Sequence, residues 1–149
     1  MSSTEHRSED GPVALVTGGA RRLGRHLAEQ LAARGYRVVI NFRASERAAK
    51  DTVATIQAAG GAARALQADI SDKASVAAML ASVAEVEGRL DLLVNNVGNY
   101  EPLPLRHVTP EAWDDCMGAN LSGAFYCCYH ARPLLERAGG QIVNIGYAG

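Results

Sequence analysis

Eight consecutive residues, Thr17-Gly18-Gly19-Ala20-Arg21-Arg22-Leu23-Gly24, combine what a phosphate group requires of a protein. The requirements are hydrogen-bond donors, close approach and positive potential. A strand that turns sharply into a helix supplies all three, through free backbone N–H groups and the positive end of the helix dipole. Gly18 lets the chain turn, and Gly24 lets the helix start lie close to the strand. The flanks fit. Val13-Ala14-Leu15-Val16 on one side reads as a buried strand, and Leu23, Leu27 and Leu31 on the other side fall at helical spacing. The chemistry implied is the binding of a dinucleotide through its diphosphate.

A second segment bears on which dinucleotide. Folds of this kind that bind NAD commonly place a carboxylate about 20 residues past the glycines, against the ribose 2′-hydroxyl. Here that stretch reads Asn41-Phe42-Arg43-Ala44-Ser45, with no carboxylate before Glu46. A carboxylate would repel a 2′-phosphate, whereas a guanidinium can chelate one. Arg21 in the turn and Arg43 after the second strand are placed to do so, with Arg22 beside them. The arrangement points to NADP(H), with Asn41, Arg43, Ala44 and Ser45 around the ribose phosphate.

These residues need a scaffold, and the rest of the chain reads as one. Strand-like runs at Val13–Val16, Tyr36–Ile40, Ala63–Ala68, Leu90–Val94 and Gln141–Ile145 alternate with helical segments. The first helix ends at Gly35. The second spans 46–59 and is stopped by Gly60-Gly61. The third has Ser71 as its expected N-cap and runs to about Glu87. The fourth starts at Thr109-Pro110-Glu111, with Thr as cap and Pro in the first turn, and is expected to continue to about Arg137 with a kink at Pro133. Alternation with short connections favours a parallel sheet covered by helices on both faces, an α/β doubly wound Rossmann-type fold. Residues 12–149 read as its single domain, and 1–11, polar and mixed in charge, as a disordered tail.

Composition excludes several classes. The chain has 149 residues and a formal net charge of −1, so no basic field invites nucleic acid or an anionic membrane. No apolar run approaches a bilayer span, and the N-terminus lacks a signal peptide's apolar core. Cys116, Cys127 and Cys128 match no zinc spacing, so no metal is expected and reduced thiols in a cytoplasmic protein are the reading. His107 and His130 read as core or surface residues rather than ligands, and Trp113 as a packing residue rather than a substrate platform.

Taken together, the motifs resemble those of the short-chain dehydrogenase/reductase family. That family carries Thr-Gly-x-x-x-Gly-x-Gly in the turn; this chain matches at Thr17, Gly18 and Gly24 and has Arg22 for the middle glycine. Asp69, followed by Ile70, matches the acidic residue that meets the adenine ring. Asn95-Asn96-Val97-Gly98 matches Asn-Asn-Ala-Gly after the fourth strand, and Val143-Asn144-Ile145 the fifth strand. Asn120 matches the helix asparagine of the catalytic tetrad, which holds a water in the proton relay; Gly118 and Gly123 flank it and weaken the helix there, which fits a local bend.

The resemblance implies strand order 3-2-1-4-5, NADPH-dependent reduction of a small-molecule carbonyl substrate, and a homo-oligomer, dimer or tetramer, at full length. The leading subclass is a 3-oxoacyl-thioester reductase. A pteridine reductase is the alternative, because Arg22 and Arg43-Ala44-Ser45 are similar to that group. The family's proton donor is a tyrosine with a lysine four residues later. The tyrosines here are 36, 100, 126, 129 and 147 and the lysines are 50 and 73, so no such pair exists. Tyr147 falls near the family's serine. The expectation is therefore the N-terminal portion of a reductase whose last strands are missing. The alternative of another class is a non-catalytic NADP(H)-binding module.

Overall fold

Five strands alternate with helices in the computed structural model, which describes residues 11–100 and 102–146. The strands are β1 (Val13–Val16), β2 (Arg37–Phe42), β3 (Ala62–Gln67), β4 (Leu92–Asn95) and β5 (Gln141–Asn144). All pair in parallel, in the order β3-β2-β1-β4-β5 that was expected. The α-helices are α1 (Arg22–Ala33), α2 (Glu46–Ala58), α3 (Lys73–Val86), α4 (Pro110–Met117) and α5 (Gly123–Ala138).

The central strands are apolar throughout because both faces are covered. Val13, Leu15, Val39 and Leu93 point to one face and pack with Val76, Leu80 and Val83 of α3 and Cys127, Ala131 and Leu134 of α5. Val16, Val38, Ile40 and Val94 point to the other face and meet Ala28 and Ala32 of α1 and Ala49 and Ile56 of α2. Burial pushes the Cys127 thiol up to about 12, so it is an inert core group. At one sheet edge, β5 pairs only with β4 among the described residues, and all four of its residues are exposed. Ile142 and Val143 are exposed along this edge.

Four local expectations are corrected. The cap of α3 is Asp72, whose carboxylate accepts from the Ala74 N–H at 3.0 Å; Ser71 instead serves Asp69. The second strand starts one residue later than expected and ends two later, because Asn41 and Phe42 still pair with Leu66 and Gln67. The long helix from Thr109 is interrupted, but not at Pro133, which α5 passes without a break. The interruption is a π-helical turn at Gly118–Ser122. It lies where the helix must press on the loop after β3. A Cβ at Gly118 would stand 3.2 Å from Ser71 Cβ, and one at Gly123 2.7 Å from Ile70 Cδ1. Two glycines at that contact weaken the α-helical register and let the wider turn form. Trp113 is exposed rather than packed, since α4 buries none of its residues. Thr109 caps α4 as expected, accepting from the Ala112 N–H at 3.2 Å.

Candidate cofactor site

Parallel pairing brings the C-terminal ends of all five strands to one edge, and β1 sits where the strand order reverses. A crevice at that switch point is the natural ligand position in an open α/β sheet. A cleft of about 700 Å³ lies there. Its walls come from the turn after β1 (Gly18, Ala20, Arg21), the end of β2 and its loop (Asn41 to Ser45), the end of β3 (Ala68 to Ser71), the end of β4 (Val97 to Asn99), and α4 with the π-turn (Asp114, Asp115, Gly118, Ala119).

The turn is shaped by residues that do not line the cleft. Thr17 is fully buried, and its hydroxyl accepts from the Asn96 N–H at 2.9 Å and the Val97 N–H at 3.3 Å. The Asn96 side-chain amide donates to the carbonyls of Thr17 (3.1 Å) and Gly18 (3.4 Å). Gly24 lies against Gly18 O and Asn96 Nδ2 so closely that a Cβ would collide with both. Gly19 is buried against Ile40. Gly18 has φ +61°. Arg22 adopts φ +48°, the left-handed region, at the position where the resembling family has glycine. The turn therefore holds residue 22 in a conformation that glycine adopts without strain.

Electrostatically, the start of α1 is open to an anion. Its N-cap, Arg21, makes no side-chain capping bond, and the first turn holds no acid. The first intrahelical bond runs from the Arg25 N–H to the Arg21 carbonyl, which leaves the amides of Arg22, Leu23 and Gly24 without helical partners. Leu23 itself is half exposed outside the cleft.

Asn41 is buried, and its side chain ties two turns together. Oδ1 accepts from the Gly18 N–H at 3.4 Å and Nδ2 donates to the Ala68 carbonyl at 3.0 Å. Arg43 stands at the rim with its side chain in solvent, its Nη1 4.0 Å from Asp69 Oδ2. Asp69 Oδ1 accepts from the Ser71 hydroxyl at 2.7 Å and the Ser71 N–H at 2.9 Å. The Ser71 hydroxyl bond is the main reason that the Asp69 carboxyl lies below the ordinary aspartate value; burial opposes it, and Arg43 adds a smaller lowering. Arg21 and Arg43 thus reach one cleft from separate loops, as expected, with Ala44, Ser45 and Ile70 beside them.

Asn120 lies in the π-turn, outside the cleft lining. Its side chain accepts from the Asn99 N–H at 2.8 Å and donates to the Asn99 carbonyl at 2.8 Å and the Cys116 carbonyl at 3.0 Å. Tyr147 lies outside the described residues. Sequence reading missed Asp114 and Asp115. Their four-residue spacing to Gly118 and Ala119 was the available signal that one face of α4 joins the wall.

The family model described as short chain dehydrogenase matches residues 12–147. A 3-oxoacyl-(acyl-carrier-protein) reductase FabG of Staphylococcus aureus is 40% identical over 133 residues, covering 89% of this chain. Among solved structures, a short chain dehydrogenase from Burkholderia cenocepacia in complex with NADP is 37% identical, with TM-score 0.85 over 93% of this chain and 56% of that one. A metagenomic short-chain oxidoreductase in complex with NADP is 33% identical, with TM-score 0.88 over 95% of this chain and 65% of that one. The chain spans about half the length of the relatives it matches, 54% of the staphylococcal reductase. With residues 12–147 matched by the family model, the chain belongs to the short-chain dehydrogenase family.

Proposed function

We propose that this chain binds NADP(H) in the cleft and supplies the cofactor half of an NADPH-dependent carbonyl reductase, with a 3-oxoacyl thioester as substrate class. The observation that carries the cofactor reading is the approach of Arg21 and Arg43 to one rim, with no acid on the loop after β2. The likeness to a 3-oxoacyl reductase supports the substrate class, and two related structures hold NADP.

The residues fit the group. The uncapped first-turn amides of α1 would hold the diphosphate, and Gly24 lets that helix start pack directly against Gly18 and Asn96, where a Cβ would collide. Arg43 and Arg21 would take the 2′-phosphate, Ala44 and Ser45 the ribose, Asp69 and Ile70 the adenine, and Val97 and Gly98 the nicotinamide end. When bound, the cofactor supplies hydride to the substrate carbonyl. Asn120 holds the strand-end loop at Asn99 in place: both amide hydrogens go to the Asn99 and Cys116 carbonyls, and the amide oxygen, which accepts from the Asn99 N–H, keeps a second lone pair for a water. The chain contains no Tyr-x-x-x-Lys.

On this reading residues 12–149 are the cofactor domain of a cytoplasmic enzyme. Leu121, Phe125 and Tyr129, exposed at four-residue spacing along α5 and the turn before it, support a homo-oligomer, since a second copy would cover them. Arg22 favours the pteridine-reductase alternative as a second reading.

Titration of the chain with NADPH and NADH, followed by nicotinamide fluorescence, tests the cofactor reading. NADPH is expected to bind at least about tenfold tighter, the contribution of one chelated phosphate. Arg43→Asp should reverse that preference; a variant that still prefers NADPH sinks the proposal. Tight binding of NADPH with no reduction of any ketone by the native protein would support the non-catalytic module.

A further inference from the structure

The loop after β2 carries the cation on which the NADP(H) reading depends, yet little fixes it. Ser45 makes no side-chain capping bond to α2, and Arg43 is three-quarters exposed at its side chain. The contact between Arg43 and Asp69 is 4.0 Å long and open to solvent, which makes it weak. The main-chain bonds that flank the loop, from Ala68 N–H to the Phe42 carbonyl and from Ala49 N–H to the Ser45 carbonyl, lie on either side of Arg43 and Ala44.

One side chain reaches the loop itself. Gln67, the last residue of β3, donates from Nε2 to the Arg43 carbonyl at 2.9 Å. Its backbone is held in the ladder opposite Phe42, so the amide projects from a rigid strand end. Gln67 lies outside the cleft lining. A bond to the carbonyl of Arg43 fixes the peptide from which the guanidinium springs. It reduces the freedom the side chain must lose when it meets a phosphate.

We infer that Gln67 is a positioning residue for dinucleotide selectivity, acting through the Arg43 backbone on recognition of the 2′-phosphate. This rests on the NADP(H) reading above. It assigns to an edge-strand glutamine, which lies outside the cleft lining, a share of the discrimination between phosphorylated and unphosphorylated adenosine ribose.

The probes are 2′,5′-ADP and 5′-AMP, which differ only in the 2′-phosphate and need only the adenosine end of the cleft. Calorimetric binding is measured for the chain and for Gln67→Met and Gln67→Glu. Met keeps the length without a donor, and Glu keeps the shape with an acceptor where the donor was. Gln67→Met should weaken 2′,5′-ADP by about three- to tenfold, the range for one neutral hydrogen bond, and Gln67→Glu, which adds charge repulsion, by at least as much. Affinity for 5′-AMP and the thermal midpoint should stay at the parent's values. In an Arg43→Ala background, Gln67→Met should add no further loss.

Equal weakening of both nucleotides, no weakening of either, or an undiminished effect in the Arg43→Ala background each overturns the role of Gln67 while leaving the cofactor reading intact. A parent chain that binds the two nucleotides equally overturns the NADP(H) reading and this inference with it.

Discussion

Asn99 and Asn120 exchange two hydrogen bonds of 2.8 Å, main chain to side chain in both directions. The exchange joins the loop after β4 to the π-turn between α4 and α5, across 21 residues of sequence. A side-chain amide satisfies both the donor and the acceptor of one backbone residue, much as a neighbouring strand would.

Asn120→Ala should therefore loosen that loop specifically. Loss of the two bonds to Asn99 and the one to the Cys116 carbonyl, all solvent-exposed, is expected to lower stability by about 1–2 kcal/mol. Amide hydrogen exchange at Asn99 should accelerate more than exchange in β4. Uniform acceleration across β4 and the loop would show that the bond pair has no local role.

Arg22 and Gly differ in what φ +48° costs them. A left-handed non-glycine residue is strained by roughly 1–2 kcal/mol, partly offset by glycine's greater freedom in the unfolded chain. Arg22→Gly should be more stable than Arg22→Ala by about 1 kcal/mol. Urea midpoints at equal slope measure the difference, and an Ala variant at least as stable as Gly counts against the strain.

Gly24→Ala should be severe. The new Cβ would overlap Gly18 O and Asn96 Nδ2, of which the first is backbone and cannot step aside. A loss of about 2–3 kcal/mol is expected, with loss of nucleotide binding. Gly146→Ala serves as control, because a Cβ there meets nothing within 4 Å. Equal tolerance of both substitutions in thermal melts would refute the close packing.

Asp69 gives a pH signature. Its folded-state pKa is depressed, chiefly by the Ser71 hydroxyl. The stabilisation is present above the ordinary aspartate value and is lost as pH falls through the depressed one, so the window lies below about pH 4. Ser71→Ala should move the Asp69 titration upward, read from its carboxyl carbon by NMR. An unmoved titration would assign the shift to the remaining groups, the Ser71 N–H and Arg43.

The alternation of strands and helices was legible because β1, β2 and β4 are apolar enough to be buried on two faces, a pattern that needs no partner to be read. So was the phosphate turn, whose glycines and flanking patterns are contiguous, and so was the missing acid after β2. The direction of Asn41 was not legible: the same residue type on the rim could serve a ribose, yet here it bonds Gly18 and Ala68. Gly118 and Gly123 marked a bend around Asn120, but its π-turn form was not legible, because it depends on those glycines meeting Ser71 and Ile70 from some 50 residues away. Local sequence determined which segments are strands and helices and which turn can hold phosphate. Tertiary structure alone decided that Asp114 and Asp115 complete the cleft wall, that Arg22 keeps a glycine's backbone, and that Gln67 grips Arg43. Each of those outcomes depends on segments distant in the chain being packed against one another, where sterics and unsatisfied hydrogen bonds choose among conformations that local propensity leaves open.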